Sequence, residues 1–355
     1  MNATLTGILI YIVAQLLIGF FVSKKIRNEE DYLLAGRSLG YGLAIFSIFA
    51  TWFGAESCIG TAGAAYESGL AGVTADPFGY AVCLIVMALV LAVPLWKMKL
   101  TTIADLFRIR FSVRTERLTA IIMIPTSLLW AAAQIRALGM ILSASSELTA
   151  FTAITLAAAV VIAYTVMGGL LADAITDVVQ GVALIAGLLI LAPMVMTPDT
   201  VMTIPDLLAA RDPATLNHSW WLWLEEWSIP ICGSLVAQEL ISRVIACKSP
   251  QVAKRATLLA AGMYLAVGMI PLMLGLAGFY LMPGLKEPEH ILPMIAQKYL
   301  PAWMYVLFAG AIVSAILSTV DSALLSCSAL FSHNILLSLK PGAGEKQKLL
   351  CRQLK

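Results

Sequence analysis

Apolar stretches about as long as a bilayer is thick recur along this chain and restrict its fold more than any other feature. They fall near residues 4–23, 38–66, 74–96, 118–144, 149–167, 171–195, 219–246, 256–283 and 301–338. A helix needs about 20 apolar residues to cross the hydrocarbon core. The sequence therefore predicts an all-α membrane protein of about nine transmembrane helices. Composition agrees: only 12% of the 355 residues are charged, against about 25% in a soluble domain. A net charge of +2 offers no electrostatic case for nucleic acid. The six cysteines, Cys58, Cys83, Cys232, Cys247, Cys327 and Cys351, show no metal-ligand spacing and read as small core residues. The first stretch runs to Val22 and meets Lys24, Lys25 and Arg27 with no small-residue cleavage site, so it is expected to be a retained helix.

Two stretches are interrupted near their middles. Gly54-Ala55-Glu56-Ser57 lies inside 38–66, and Pro230-Ile231-Cys232-Gly233-Ser234 lies inside 219–246. They are either kinks eased by neighbouring helices or helices broken around a binding site. Loop charge gives the orientation. Loops 24–37, 97–117 and 243–255 are rich in lysine and arginine, Arg243 included, as is the tail with Lys340, Lys346, Lys348, Arg352 and Lys355. With nine helices they share one side, which places the N-terminus outside and the C-terminus in the cytoplasm. The expected organisation is an extra helix and cytoplasmic loop (1–37), a five-helix repeat (38–195), an external loop (196–218), an inverted and incomplete second repeat (219–338) and a cytoplasmic tail (339–355).

Charges inside spans are costly and point to function. Glu56 and Arg136 are expected at similar depth, where they could pair. Asp76 before Pro77 reads either as an ordinary helix cap or as a substrate contact. Ala315, Ser318, Thr319 and Ser322 share one helical face, spaced i, i+3, i+4, i+7. Two hydroxyls and a carbonyl there suit a hard cation that takes oxygen ligands, although such hydroxyls also bond back to their own helix. Asp321 adds a charge beside this face, and Asp177 could reach the same depth or merely sit near the interface. Trp52, Tyr80 and Trp130 are packing residues or, together, a cation-π pocket. Trp220, Trp221, Trp223 and Trp227 read as an interfacial belt.

DYLLAGRSLG (31–40), YTVMGGLLADAITDVVQG (164–181), QELISRVIACKSPQVAKRA (238–256) and SAILSTVDSALLS (314–326) resemble, in order, the signature blocks of the sodium:solute symporters, a family with the LeuT-type inverted repeat. ATWFG (50–54), DPFGY (76–80) and LWAAAQIRALG (129–139) are similar to its high-affinity choline transporter branch. The resemblance implies a main sodium site on the carbonyls of Ala50, Phe53 and Ala315 and the hydroxyls of Ser318 and Thr319. A second sodium, known in some members, would fall on Asp177, Ser318, Asp321 and Ser322. The polar set of the sugar-transporting members is replaced by Ser57, Pro230, Gly233 and Tyr264, so sugar is disfavoured. Trp52, Glu56, Tyr80, Trp130, Arg136, Gly233 and Ala237 are the candidate substrate residues, with Ala237 at the place of a fourth cage aromatic.

The expectation is sodium-coupled symport of an amine, amino acid or betaine-like zwitterion across the cell membrane. It needs no cofactor beyond Na+ as coupling ion; its partners are a small molecule, Na+ and lipid. Family members continue through at least two more core helices, so a truncated, inactive symporter is one alternative and a membrane sensor another. No nucleophile or paired-acid motif marks an enzyme.

Overall fold

The computed structural model describes residues 13, 17–18, 20–24, 26–144, 148–202 and 219–336. The expected first helix (4–23), the loop basic residue Arg211 and the polar tail lie wholly or mostly outside these residues. Within them the chain is helical, with one isolated β-bridge, Leu39 to Cys247.

A short helix, α1 (Glu29–Leu34), is capped by Asn28, whose side chain accepts from the Asp31 amide. The first core helix, α2 (Tyr41–Trp52), stops at Phe53, and the chain resumes through a wide turn, Glu56–Gly60, into α3 (Thr61–Ser68). Next come α4 (Tyr80–Val86), α5 (Ala92–Lys97) and an amphipathic α6 (Ile103–Arg110). Two long helices follow, α7 (Val113–Ala144) and α8 (Ala150–Val195). The second half contains α9 (Trp220–Ser228), α10 (Gln238–Ile245), α11 (Pro250–Leu281), α12 (Ile291–Tyr299) and α13 (Ala302–Ala329).

Five described helical stretches are long and apolar enough to span a bilayer: Glu56–Lys97, Val113–Gly139, Gly169–Val195, Pro250–Leu281 and Ala302–Leu336. The pair Trp220–Gly233 and Gln238–Ile245, bent by 44°, supplies a sixth. The nine expected from apolar runs are not reproduced among the described residues. The reason is physical: interrupted helices cross in halves, and Tyr41–Trp52 and Ala150–Ala159 are each too short alone. At Gly169 the backbone takes φ +57°, and a β-carbon there would lie 2.7 Å from the Tyr32 carbonyl. Glycine is the residue that tolerates both demands, and the expected boundary between 149–167 and 171–195 falls there.

Both interrupted stretches are broken helices rather than kinks. They are tied at one end of the bundle: Leu39 N–H donates to the Ala246 carbonyl (3.2 Å), and Lys248 N–H to the Leu39 carbonyl (3.0 Å). Arg37 reaches across to the carbonyls of Ile245 (3.1 Å) and Leu100 (2.9 Å). It works as a strut as well as a loop charge. The segment between the last two long helices folds as α12, whose Ile291, Leu292, Ile295 and Ala296 are buried; no apolar run long enough for a span had marked it. Trp220, Trp221 and Trp223 are exposed on α9, and Trp227 is half-buried. Cys58, Cys83, Cys247 and Cys327 are buried, but Cys232 is exposed and is not a core residue.

Candidate functional site: an oxygen cluster at the helix break

Helix α2 ends because its next hydrogen bond is diverted. The Gly54 amide, which in a continuous helix would bond the Ala50 carbonyl, donates instead to the Trp52 carbonyl at 3.0 Å. Ala50's carbonyl is thereby released, and the Ser318 hydroxyl oxygen of α13 comes within 3.2 Å of it. Gly54 also permits the approach, since a β-carbon there would sit 2.5 Å from Thr319 Oγ1. Thr319 Oγ1 lies 3.2 Å from the Ala315 carbonyl. Ala50, Ala315, Ser318 and Thr319 thus meet at the break as the sequence anticipated, and Phe53 is the unwound residue itself. Its ring stacks on Phe49, with centroids 4.8 Å apart. Carbonyl and hydroxyl oxygens in a water-poor interior, with a carboxylate at hand, are the ligand chemistry of a hard cation. The residues present fit a sodium ion.

The carboxylate is Asp177. One of its oxygens accepts from Ser318 at 2.5 Å and the other from Ser47 at 2.6 Å. It is fully buried. Asp321 and Ser322, the remaining members of the expected second sodium set, make no described hydrogen bond to it. Asp321 accepts from Thr165 of α8. Ser322 donates to the Ser318 carbonyl at 2.8 Å and accepts from Arg243. Arg243 itself overturns one sequence expectation: it is not a loop charge but is wholly buried in α10 and ion-paired with Asp173. Neither Arg243 nor Asp173 was singled out from sequence, though a charged pair inside two apolar runs is a signal of such a contact.

The candidate substrate residues are only partly assembled. Trp52 and Tyr80 meet edge to face at 5.1 Å, and Tyr80 lies 6.4 Å from Tyr264. Glu56 is half-buried. Trp130 is 39% exposed and makes no described ring contact with that group. Arg136 is exposed and forms no ion pair with Glu56 among the described residues, so the expected pairing fails. The two side chains leave different helices, and similar depth did not imply facing sides. Gly233 borders open space, and half-buried Ala237 precedes α10 in an extended conformation. Pro230 packs against Gly79, where a β-carbon would lie 2.6 Å from Pro230 Cγ, which brings the second broken helix beside the Asp76–Tyr80 turn.

Asp76 does not cap a helix. It is 6% exposed, and one carboxylate oxygen accepts from Ser57 (2.6 Å) and Tyr264 (2.9 Å). The other oxygen is buried without a partner. Sequence reasoning left Ser57 and Tyr264 merely as departures from a sugar site, yet they hold this acid beside the aromatic group.

These features define a helical membrane protein with two broken helices beside an oxygen-lined cluster, the architecture of a secondary transporter. The chain belongs to the sodium:solute symporter family, whose description matches residues 32–355. It is 29% identical over 352 residues to a Drosophila melanogaster high-affinity choline transporter, covering 94% of this chain and 56% of the relative. It is 28% identical to the Homo sapiens high-affinity choline transporter, covering 97% of this chain and 64% of that one. A Bacillus subtilis high-affinity proline transporter is also 28% identical, with 96% and 75% covered. The chain therefore spans little more than half the length of the first of these relatives. In structure it resembles a Na+-coupled sialic acid symporter in a substrate-bound outward-open state, with TM-score 0.86 at 22% identity over 99% of this chain and 78% of that one. That likeness establishes the LeuT-like fold. The relatives are transporters, not enzymes.

Proposed function

We propose that this chain carries out sodium-coupled symport of a small organic amine, amino acid or betaine-like zwitterion by alternating access. The observation that carries the reading is the hydroxyl of Ser318 on the Ala50 carbonyl released at Gly54, with Asp177 beside it. A sodium ion there would join Ser318 and Ala50 by shared coordination and tie broken α2 to α13. Tying the two elements favours one of the two access states, and the solute pocket is completed in that state. Coupling is reciprocal, so the solute tightens sodium binding as sodium tightens the solute.

The positive end of the solute would lie among Trp52, Tyr80 and Glu56, with Asp76 behind them. Aromatic faces attract a desolvated cation by about 0.5–2 kcal/mol each, and two carboxylates with no basic partner among the described residues reinforce that sign. Glu56 and Arg136 act separately in this reading; Arg136 is left to meet a carboxylate. Repeats spanning 38–195 and 219–338, an outer N-terminus and a cytoplasmic C-terminus complete the proposal. The orientation is supported by the lysines and arginines of loops 24–37 and 97–117, with Lys248, Lys254 and Arg255 still counted after Arg243 is removed.

The test is sodium-dependent binding or uptake by the reconstituted chain, screened over choline, betaine, proline, pantothenate and glucose. An ammonium-bearing solute should bind more tightly than glucose. A response to glucose alone would contradict the aromatic and acidic pocket.

A further inference from the structure

Ser57 lies in the turn that follows the break in α2 and is completely buried. Its hydroxyl oxygen stands 2.6 Å from Asp76 Oδ2, 3.0 Å from the Trp52 carbonyl and 2.8 Å from the Tyr264 hydroxyl. Tyr264, from α11, is 2.9 Å from the same Asp76 oxygen. A serine has one proton to give, and here a carboxylate and a backbone carbonyl both stand in reach of it. The Trp52 carbonyl is the one that takes the diverted Gly54 amide at 3.0 Å, the bond that frees the Ala50 carbonyl for a cation. Asp76, on the other side, has its second oxygen buried without a partner, and no described ion pair balances its charge. The ring of Tyr264 meets Tyr80 of the aromatic group at a centroid separation of 6.4 Å and the unwound residue Phe53 at 5.3 Å. Among the described residues, Ser57 alone stands within hydrogen-bond reach of both Asp76 and the carbonyl at the break.

We infer that Ser57 couples the solute to the sodium ion, by turning its one hydroxyl proton from Asp76 to the Trp52 carbonyl when the positive end of the solute reaches Asp76. Without solute, the charged carboxylate is the stronger acceptor and holds the Ser57 proton. A solute ammonium beside Asp76 supplies the balancing charge in its place. Tyr264 keeps its bond to the carboxylate, and Ser57 turns to Trp52. The Trp52 carbonyl then has two donors, Ser57 and the Gly54 amide, which hold it in the unwound orientation and keep the Ala50 carbonyl available to sodium. The hydroxyl has two discrete arrangements, each favoured by one ligand state, and that is the two-state element a coupling claim requires. The sign is favourable and the effect is reciprocal, so sodium at the break tightens the solute by the same factor. Ser57 is a positioning residue, acting through Asp76 and the Trp52 carbonyl. The inference rests on the sodium-coupled reading above, but it assigns to Ser57 only the coupling and not the binding of either ligand alone.

The experiment is equilibrium binding of labelled proline, betaine and choline to the purified 355-residue chain in lipid nanodiscs, each in potassium and in saturating sodium. The ratio of the two dissociation constants is the coupling factor. For the unaltered chain and at least one of the three probes it should be about tenfold, within the usual span of coupling between sites. Ser57→Ala should lower that factor about fivefold, the worth of one hydrogen bond, while half-saturating sodium measured without solute moves by less than about twofold. Ser57→Cys, close in size but a poor donor, should do the same, and Ser57→Thr, which keeps a hydroxyl, should keep most of the factor. Asp76→Asn should lower the factor together with affinity for the probe. An undiminished factor in Ser57→Ala and Ser57→Cys would overturn the inference and leave sodium coupling standing. So would loss of sodium binding without solute in those variants, since Ser57 would then belong to the sodium site itself. Binding of all three probes that ignores sodium in the unaltered chain would overturn both the inference and the reading it rests on.

Discussion

At Gly54 the place of a β-carbon lies 2.5 Å from Thr319 Oγ1 and 3.3 Å from Thr319 Cβ. Gly54→Ala must push α2 from α13, so it should destabilise the protein by about 1–3 kcal/mol, the usual cost of overpacking, and weaken sodium binding as well. Adding Thr319→Ala should return part of the stability, measured by denaturation in detergent, without returning sodium affinity. If the double variant regains full sodium affinity, Thr319 is not a ligand. Ser318→Ala combined with Thr319→Ala removes two hydroxyl oxygens that a methyl cannot replace. At about 1–3 kcal/mol for each buried polar partner lost, half-saturating sodium should rise at least tenfold. An unchanged sodium dependence would place the cation elsewhere.

Among the elements, α6 shows how an end of the bundle is closed. Thr102 and Asp105 form a capping box. Asp105 also accepts from Asn334 at 2.9 Å and faces His333 Nε2 at 3.3 Å, while His333 Nδ1 meets Glu29 of the α1 segment at 2.8 Å. Burial alone would raise the Asp105 carboxyl, but the His333 hydrogen bond and charge, with the amides of Thr102 and Thr101, hold it below the usual carboxylate range. A carboxyl depressed in the folded state adds stability above its unfolded pKa, about 3.9, and that stability is lost as pH falls through the folded value. Asp105→Asn should therefore cost about 0.5–2 kcal/mol near neutral pH, the scale of a lost helix cap. The difference from the unaltered chain should shrink as pH drops through the acid limb. A constant difference from neutral to strongly acid pH would mean that the charge of Asp105 plays no part. On α1, burial and the charge of Asp321 push the Tyr32 phenol up to about 12, so Tyr32 stays neutral and takes no part in this acid transition.

For the whole molecule, loop charge predicts that a reporter fused after Lys355 is cytoplasmic and one inserted in 197–217 is external. Both on the same side would contradict the threading. What could be read in the sequence followed from local chemistry. The break at Gly54 and the face Ala315, Ser318, Thr319 are written in neighbouring residues with a fixed helical spacing. What could not be read depended on which way a side chain leaves its helix. Glu56 and Arg136, expected at similar depth, form no ion pair among the described residues. Asp76 has a sequence context that suits a cap and is instead held across the bundle by Ser57 and Tyr264. Arg243 looks like part of a basic loop and is buried against Asp173. The helix count of nine is not reproduced among the described residues for a related reason, since an apolar run records length and not the point at which a backbone unwinds.

The central claim is that sodium bound at the α2 break powers solute movement. The direct measurement is solute uptake into proteoliposomes containing the 355-residue chain, with and without an inward sodium gradient. Labelled proline, betaine and choline are offered in parallel. The account predicts accumulation of at least one of them above the external concentration, abolished when potassium replaces sodium and when Ser318→Ala and Thr319→Ala are combined. Uptake indifferent to the sodium gradient, or unaltered in that double variant, would contradict it.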